Sequence, residues 1–427
     1  MINNLYQKYL DAHQQVTTDT RKIKQGDLFF ALKGDNFNGN EYALKAIELG
    51  ASWAIVDEII EDHPQLIKVD NVLATLQNLA RHHRLQFKIP FIGITGSNGK
   101  TSSKELIASV LSTTYKTYFT QGNLNNHIGV PLTILSIPMD CEMAIIEMGA
   151  NGLHEIQFLC QISLPSHGVI TNIGKAHIEG FGSFQGIIDT KSELYQSLIP
   201  NKGTIFINAQ DDILKSVAPI ECPQVKYNGG DFIIEEMITN PTLKISLKDL
   251  RLEKTVELQS QLFGRYNAIN ITLAYAVGRF FNVPTTSIQE AISNYRPNNN
   301  RSQIERSSLG NTIIWDAYNA NPSSMEQAVN SFSEADMDNK IIILGDMKEL
   351  GDTENQEHQD LIQKIAGFKG FLVGNIFNNN RSPFEMHSHF KNVDELGHYL
   401  KSNPIKNSTI LIKGSRSVQL EKLKPFV

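Results

Sequence analysis

Phe91-Ile92-Gly93-Ile94-Thr95-Gly96-Ser97-Asn98-Gly99-Lys100-Thr101 is the stretch that decides the fold. A short apolar run, a polar turn holding two glycines, and Lys-Thr at the head of a helix-periodic segment read as strand, loop and helix. Glycines in such a turn let backbone N–H groups close around a phosphate, and the positive end of the helix dipole strengthens their pull on an anion. In that reading Lys100 neutralises the β- and γ-phosphates of ATP and the Thr101 hydroxyl joins a Mg²⁺ shell, with Gly96, Ser97, Asn98, Gly99 and Ser102 forming the cradle. The fit to Gly-x-x-x-x-Gly-Lys-[Ser/Thr] is incomplete, because Ile94 stands where the first glycine belongs. A plain glycine-rich strand-to-helix turn is the competing reading of this stretch taken alone.

Working outward, the same alternation recurs. Strands are expected at Met143–Glu147, Gly168–Thr171 and Thr204–Asn208, and helices at Thr101–Ser112, Asp189–Leu198 and Asn267–Phe281, so a largely parallel sheet is the economical solution. The polar stretch from Asn228 to Gln259 breaks the alternation and reads as hairpins. Upstream, a strand-like Gly26–Leu32, a turn-rich patch at 34–40, a helix over Glu41–Leu49 and a strand at Trp53–Val56 describe a small mixed unit.

Downstream, Arg296-Pro297-Asn298-Asn299-Asn300-Arg301 has no apolar periodicity and reads as a linker. Strands at Thr312–Trp315, Lys340–Leu344, Gly370–Val373 and Thr409–Ile412 then alternate with helices at Ser323–Glu334, Glu354–Ala366, Val393–Lys401 and Ser417–Leu423. The fold class is therefore α/β in three domains: a small mixed α/β N-terminal domain over 1–88, a central P-loop mononucleotide-binding parallel sheet over 89–296, and a C-terminal Rossmann-like domain over 297–427. The length of 427 residues agrees with roughly 150 residues per domain.

Composition narrows the function. A net charge of −6 leaves no basic footprint for nucleic acid. No apolar run resembles a signal-peptide core or approaches a membrane span, so a cytoplasmic chain with no membrane partner is expected. The three cysteines, Cys141, Cys160 and Cys222, are too far apart for a Cys-x-x-Cys zinc site and read as reduced, buried thiols. A small-molecule enzyme fits these bounds.

Several polar residues fall at predicted C-terminal strand ends, the edge where α/β sheets bind ligands. Glu147 ends an apolar strand and is the first candidate Mg²⁺ ligand, against the alternative of an acid facing solvent. His177 follows another strand and reaches the same edge, or is structural. Asn267 and Asn270, at i and i+3, share a helix face that reads an adenine edge or merely caps the helix. Lys191 has the spacing of an ordinary surface lysine. In the last domain Trp315–Met325, with Ser323 capping the following helix, and Lys413-Gly414-Ser415-Arg416 gather polar groups at strand ends, which suggests a second substrate site facing the first, against solvated turns as the alternative for either string alone.

Assembled, these strings resemble the Mur ligase family of ATP-dependent amide-forming enzymes in bacterial cell-wall precursor synthesis. The resemblance runs over nearly the whole chain and adds Thr17-Thr18-Asp19-Thr20-Arg21 and Gly26–Leu32 in the first domain; the family's shorter loop accounts for Ile94. The strings Gly122–Pro131, Tyr318–Met325, Leu344–Gly351 and Lys413–Arg416 are most similar to members that add D-alanyl-D-alanine to UDP-N-acetylmuramoyl-tripeptide, and the Asp-Asn-Pro-Arg string of the sister enzyme is missing from the last domain.

The resemblance implies roles. Thr101, Glu147 and His177 match a site for two Mg²⁺ ions, and Lys191 matches a lysine that carries a carbamate. Lys100, His177 and Lys191 thereby become the catalytic set. Asn267 and Asn270 match adenine-side asparagines; Arg301 and Asp316 match residues swung over ATP. Thr20 and Arg21 match the uridine-nucleotide site, while Asn125, Asn126, Asn319, Asn321, Ser415 and Arg416 fall in the strings assigned to substrate. Asn38-Gly39-Asn40 departs from the Asp-Gly-His common among relatives. A monomer is expected. The rival readings are a folylpolyglutamate synthetase-like ligase, which normally lacks the first domain, and a non-catalytic nucleotide-binding scaffold.

Overall fold

Apolar runs with no polar face need cover on both sides, and in this chain they become parallel strands between helices. The computed structural model describes residues 2–58, 61–174 and 178–427. Its central sheet has six parallel strands in the order Gln224–Tyr227, Thr204–Asn208, His167–Ile170, Phe91–Thr95, Met143–Glu147 and Thr117–Phe119. The chain enters at Phe91–Thr95, builds toward one edge, then crosses back to build the other. Gly96 thus leaves the sheet at its topological switch point, where strand ends diverge and open a crevice. The helix Lys100–Leu111 follows the loop and packs against Asn267–Phe280.

The polar stretch forms the expected hairpins, an antiparallel sheet of Phe232–Asn240, Thr242–Asp249 and Lys254–Gln259. Its inward residues Leu243, Ile245, Leu247 and Leu258 join the core beneath the helix after the phosphate loop.

The first part carries four parallel strands, Val16–Thr17, Leu28–Phe30, Trp53–Val56 and Leu66–Lys68. One core runs from Leu5 and Tyr9 through Leu76 into Ile134, Ile146 and Leu194, so the first and central parts share their interior. Buried Arg84 fastens the junction by donating from Nε to the Ser163 carbonyl at 2.8 Å and from a terminal nitrogen to the Leu164 carbonyl at 2.9 Å. Asn38-Gly39-Asn40 has a structural explanation: the Asn40 amide is buried and braces residues 57–58, accepting from the Asp57 backbone at 3.1 Å and donating to the Asp57 carboxylate at 2.9 Å.

The last part holds a six-stranded sheet in the order Gln303–Arg306, Thr312–Asp316, Thr409–Lys413, Lys340–Gly345, Lys369–Val373 and His387–Phe390, parallel except for the first strand. Three expectations are corrected. The helix placed at Asp189 begins at Phe184, because Ser183 caps it by accepting from the Gly186 N–H at 3.0 Å. Asn321, not Ser323, caps Pro322–Glu334, exchanging hydrogen bonds with Ser324. Ser417–Leu423 is two 3₁₀ turns, Arg416–Val418 and Leu420–Phe426, since Gln419 is left-handed at φ +59° and Pro425 lacks an N–H for further turns.

Candidate active site

The loop is held from below by the neighbouring strand end. Thr171 and Asn172 donate to the Asn98 carbonyl at 2.6 and 2.9 Å, while the N–H groups of Ser97 and Asn98 donate to the carbonyl and side-chain oxygen of Asn172, each at 3.0 Å. With those two amides spent, the loop's anion-binding capacity falls to the first helical turn, where Lys100, Thr101 and Ser102 have no intrahelical acceptor. Gly96, at φ +140°, passes so close to Thr171 Oγ1 that a Cβ would collide with it. The Lys100 ammonium curls back onto the Gly96 carbonyl at 2.6 Å and the Ser97 carbonyl at 3.3 Å. Burial and the Arg301 charge lower its pKa, against the opposing pull of Glu147.

Glu147 is delivered by the adjacent strand and is 2% exposed. Its Oε1 accepts from Thr101 Oγ1 at 3.2 Å and Asn125 Nδ2 at 2.9 Å, and its Oε2 lies 3.3 Å from Lys104 Nζ. Burial pushes the Glu147 pKa up, but Lys104 first, then Lys100, Asn125 and Arg301, hold it below the ordinary value, so it stays a carboxylate. Hydroxyl and carboxylate oxygens suit Mg²⁺, which keeps waters and takes phosphate oxygens as its remaining ligands. Among the described residues there is no cluster of three or more His, Cys, Asp and Glu. His177 lies outside the described residues.

Lys191 is 3% exposed, with its Nζ 3.5 Å from the Ala150 carbonyl and 5.2 Å from the Phe181 ring centroid. Burial, assisted by Lys100, pulls its pKa down to about 7 despite Glu155 and Glu193. The structure overturns the sequence reading of an ordinary surface lysine: Lys191 lies on the buried face of its helix, with Ile187, Leu194 and Tyr195.

The loop opens into a cleft of about 810 Å³ between the central and last sheets. Asn125, Asn126, Asn267, Asn270, Arg301, Asp316, Asn319 and Asn321 all line it, together with the loop from Ser97 to Ser102 and Glu147. Several of their polar atoms are already committed. Asn267 donates to the Phe263 carbonyl at 2.7 Å and Ser302 Oγ at 3.1 Å, and accepts from Asn270 at 2.9 Å; Asn270 in turn accepts from Ser103 at 3.1 Å. The two asparagines therefore brace loop, helix and linker. Asn126 holds the Ile128 and Gly129 N–H groups at 3.1 and 2.9 Å.

On the far wall, Asp316 Oδ2 pairs with buried Lys413 at 2.7 Å and Oδ1 accepts from the Ser302 N–H at 3.2 Å. The Arg301 guanidinium stacks 3.6 Å from the centre of the Tyr318 ring, and its Nε finds no hydrogen-bond partner among the described residues. A direct clasp joins the two walls: Asn98 donates to Ser323 Oγ at 2.9 Å and accepts from Asn321 Nδ2 at 2.8 Å.

Gly96 and Lys191 are not among the residues lining the cleft, and four further expected residues also stand apart from it. Ser415 is buried beside Asp346, whose carbonyl accepts from its N–H at 3.1 Å, while Arg416 reaches the Tyr318 hydroxyl at 3.4 Å. Thr20 and Arg21 sit on a separate turn of the first part, where the hydrogen-bonded Arg21 guanidinium holds the Asp19 carboxyl down at about 2. Sequence reasoning missed Lys104, which shares a helix face with Lys100 and Thr101 at i+4 and i+3; that spacing was the available signal.

Two α/β sheets meeting edge to edge across a cleft, one edge bearing a phosphate loop, define a nucleotide-using enzyme assembled between separately folded layers. The chain belongs to the Mur ligase family. Residues 94–278 match the Mur ligase middle domain, 300–416 the Mur ligase glutamate ligase domain, and 13–84 the Mur ligase family catalytic domain. The UDP-N-acetylmuramoyl-tripeptide–D-alanyl-D-alanine ligases of Bacillus subtilis (strain 168) and Escherichia coli (strain K12) are each 33% identical, over 96% of this chain and 92% of theirs. A crystal structure of MurF from Acinetobacter baumannii superposes with a TM-score of 0.88 at 28% identity, covering 98% of this chain and 97% of that one.

Proposed function

We propose that this chain is an ATP-dependent ligase that joins D-alanyl-D-alanine to UDP-N-acetylmuramoyl-tripeptide, giving the nucleotide-linked pentapeptide of peptidoglycan synthesis. Relatives of this printed activity match nearly end to end, which favours it over a folylpolyglutamate synthetase-like ligase or a silent scaffold. The observation that carries the reading is the loop with Thr101 and Glu147 at one wall of a cleft whose other wall is the strand-end edge of the last sheet.

In the mechanism, a tripeptide carboxylate oxygen attacks the γ-phosphorus of ATP and ADP leaves. The amine of the dipeptide then attacks the acyl carbon, expelling phosphate as the amide forms and the amine loses its proton. Lys100 and the first-turn N–H groups bind the phosphates, and Arg301 faces them from the opposite wall. Mg²⁺, when bound, neutralises charge developing on the transferring oxygens. Thr101 and Glu147 would hold it, with His177 and a carbamate on Lys191 in the roles the family resemblance gives them. Closure of the last part through the Asn98–Asn321 clasp excludes water from the acyl phosphate. Residues 1–88 bind the uridine nucleotide through Thr20 and Arg21, 89–296 bind ATP, and 297–427 close over it and receive the dipeptide with Asn319, Asn321, Ser415 and Arg416.

Among the described residues no helix is long and apolar enough to cross a membrane, and we place the reaction in the cytoplasm, carried out by a monomer. The test is phosphate release measured with each substrate omitted in turn. Release is expected only with ATP, UDP-muramoyl-tripeptide and D-alanyl-D-alanine together, and release at the full rate without the dipeptide would sink the assignment.

A further inference from the structure

One buried cation has no task in that mechanism. Lys104 lies a turn beyond the phosphate loop and is fully buried, and among the described residues its charge partners are Glu147 Oε2 at 3.3 Å and the Phe119 ring at 5.8 Å. Neither Lys104 Nζ nor Glu147 Oε2 makes a hydrogen bond among the described residues. A pair kept for stability alone would be aligned and fully hydrogen-bonded, and an apolar side chain would fill this space at less cost. The two oxygens of Glu147 are meanwhile divided between environments. Oε1 faces Thr101 and Asn125 at the cleft, and Oε2 faces the lysine inside.

We propose that Lys104 is a resident counter-cation and positioning residue: it neutralises Glu147 when no metal is bound and pins Oε2 inward, so that Oε1 alone is offered to an incoming divalent ion. This rests on the reading of Glu147 as a Mg²⁺ ligand. Single-oxygen ligation leaves the ion's other positions to Thr101, waters and phosphate oxygens, the arrangement Mg²⁺ favours. Lys104 also opposes the binding of any cation too weakly held to displace its influence, so affinity is given up in exchange for orientation.

The two effects have opposite signs, and a merely structural role would not separate them. Mn²⁺ binding to the full chain with saturating ADP is titrated by electron paramagnetic resonance for wild type, Lys104→Met and Glu147→Gln. Lys104→Met is expected to bind Mn²⁺ about tenfold more tightly, the effect of removing one unit charge roughly 6 Å from a divalent ion even at the dielectric of water. Its turnover number falls while its KM for ATP stays near wild type. Its melting temperature without metal drops, and Mn²⁺ raises it by more than in wild type.

Equal or weaker Mn²⁺ binding in Lys104→Met, with binding lost in Glu147→Gln, overturns the role of Lys104 alone. Wild-type Mn²⁺ binding in Glu147→Gln overturns the metal-site reading and this proposal with it. If Lys104→Met does not fold without divalent ions, Lys104→Gln is titrated in its place against the same outcomes.

Discussion

Lys191 offers the most discriminating perturbation, because its burial has a chemical consequence that can be counted. Carbamate formation needs the neutral amine as nucleophile toward CO₂, with the proton passing to solvent. At pH 7 a lysine of pKa 10.5 is neutral in about one molecule in three thousand, whereas the buried Lys191, drawn down to about 7, is neutral in about half. The site therefore raises the reactive fraction by a factor on the order of a thousand. Wild-type enzyme exposed to isotopically labelled bicarbonate is expected to show one protein-bound carbamate signal by nuclear magnetic resonance, missing from Lys191→Ala. Turnover should fall when CO₂ is stripped from the buffer and recover on its return. In Lys191→Ala the loss should be about 10²- to 10³-fold, the cost of removing one preorganised charged group from a phosphoryl-transfer site.

Stability supplies an independent check with a definite sign. The folded pKa lies below the unfolded one, so the penalty for burying the ammonium is complete below about pH 7 and fades as pH rises toward 10.5. In CO₂-free buffer, wild type should gain stability relative to Lys191→Ala on going from pH 7 to pH 10, by on the order of 4 kcal/mol. A stability difference flat across that range, or a wild-type enzyme indifferent to CO₂ with no carbamate signal, would refute the reasoning.

The remaining perturbations address the cleft walls. Asp316→Asn leaves the buried Lys413 ammonium without its anion and should cost about 3–5 kcal/mol, read by denaturant unfolding and largely restored by adding Lys413→Met; an unchanged midpoint would argue against the pair. Asn98→Ala removes both hydrogen bonds of the clasp, about 1 kcal/mol each, so the free protein should open and its radius of gyration by X-ray scattering should grow, with identical scattering counting against a closing role. Gly96→Ala meets both a φ of +140° and the Thr171 hydroxyl, so binding of a fluorescent ATP analogue should be lost, and wild-type affinity would mean the loop relaxes freely.

How far the sequence could be read depended on whether each signal was local. Phe91–Thr95, Met143–Glu147 and Thr204–Asn208 form with the expected bounds, because a buried parallel strand is a continuous apolar run between turn residues and needs no partner to be recognised. The helix carrying Lys191 is expected from Asp189 but begins at Phe184. In the structure Gly186 is helical and small because the Phe181 carbonyl passes where its Cβ would be. The C-terminal segment also departs from expectation: its apolar positions fit a helix, but they are buried through 3₁₀ turns against the last sheet.

The site's electrostatics were legible only in halves. Each wall of the cleft ends a strand with a carboxylate, Glu147 on one side and Asp316 on the other, and each carboxylate is paired with a buried lysine. Lys104 was within reach of sequence reasoning, since helical spacing puts it beneath Lys100 and Thr101. Lys413 was not, because it meets Asp316 across neighbouring parallel strands whose register aligns two residues nearly a hundred positions apart in the chain. The shared device has a physical cause. Burying a carboxylate at a sheet edge costs less when a fixed positive charge stands behind it. The cleft carries that charge on both walls, and Lys100 and Arg301 add further positive charge to its lining.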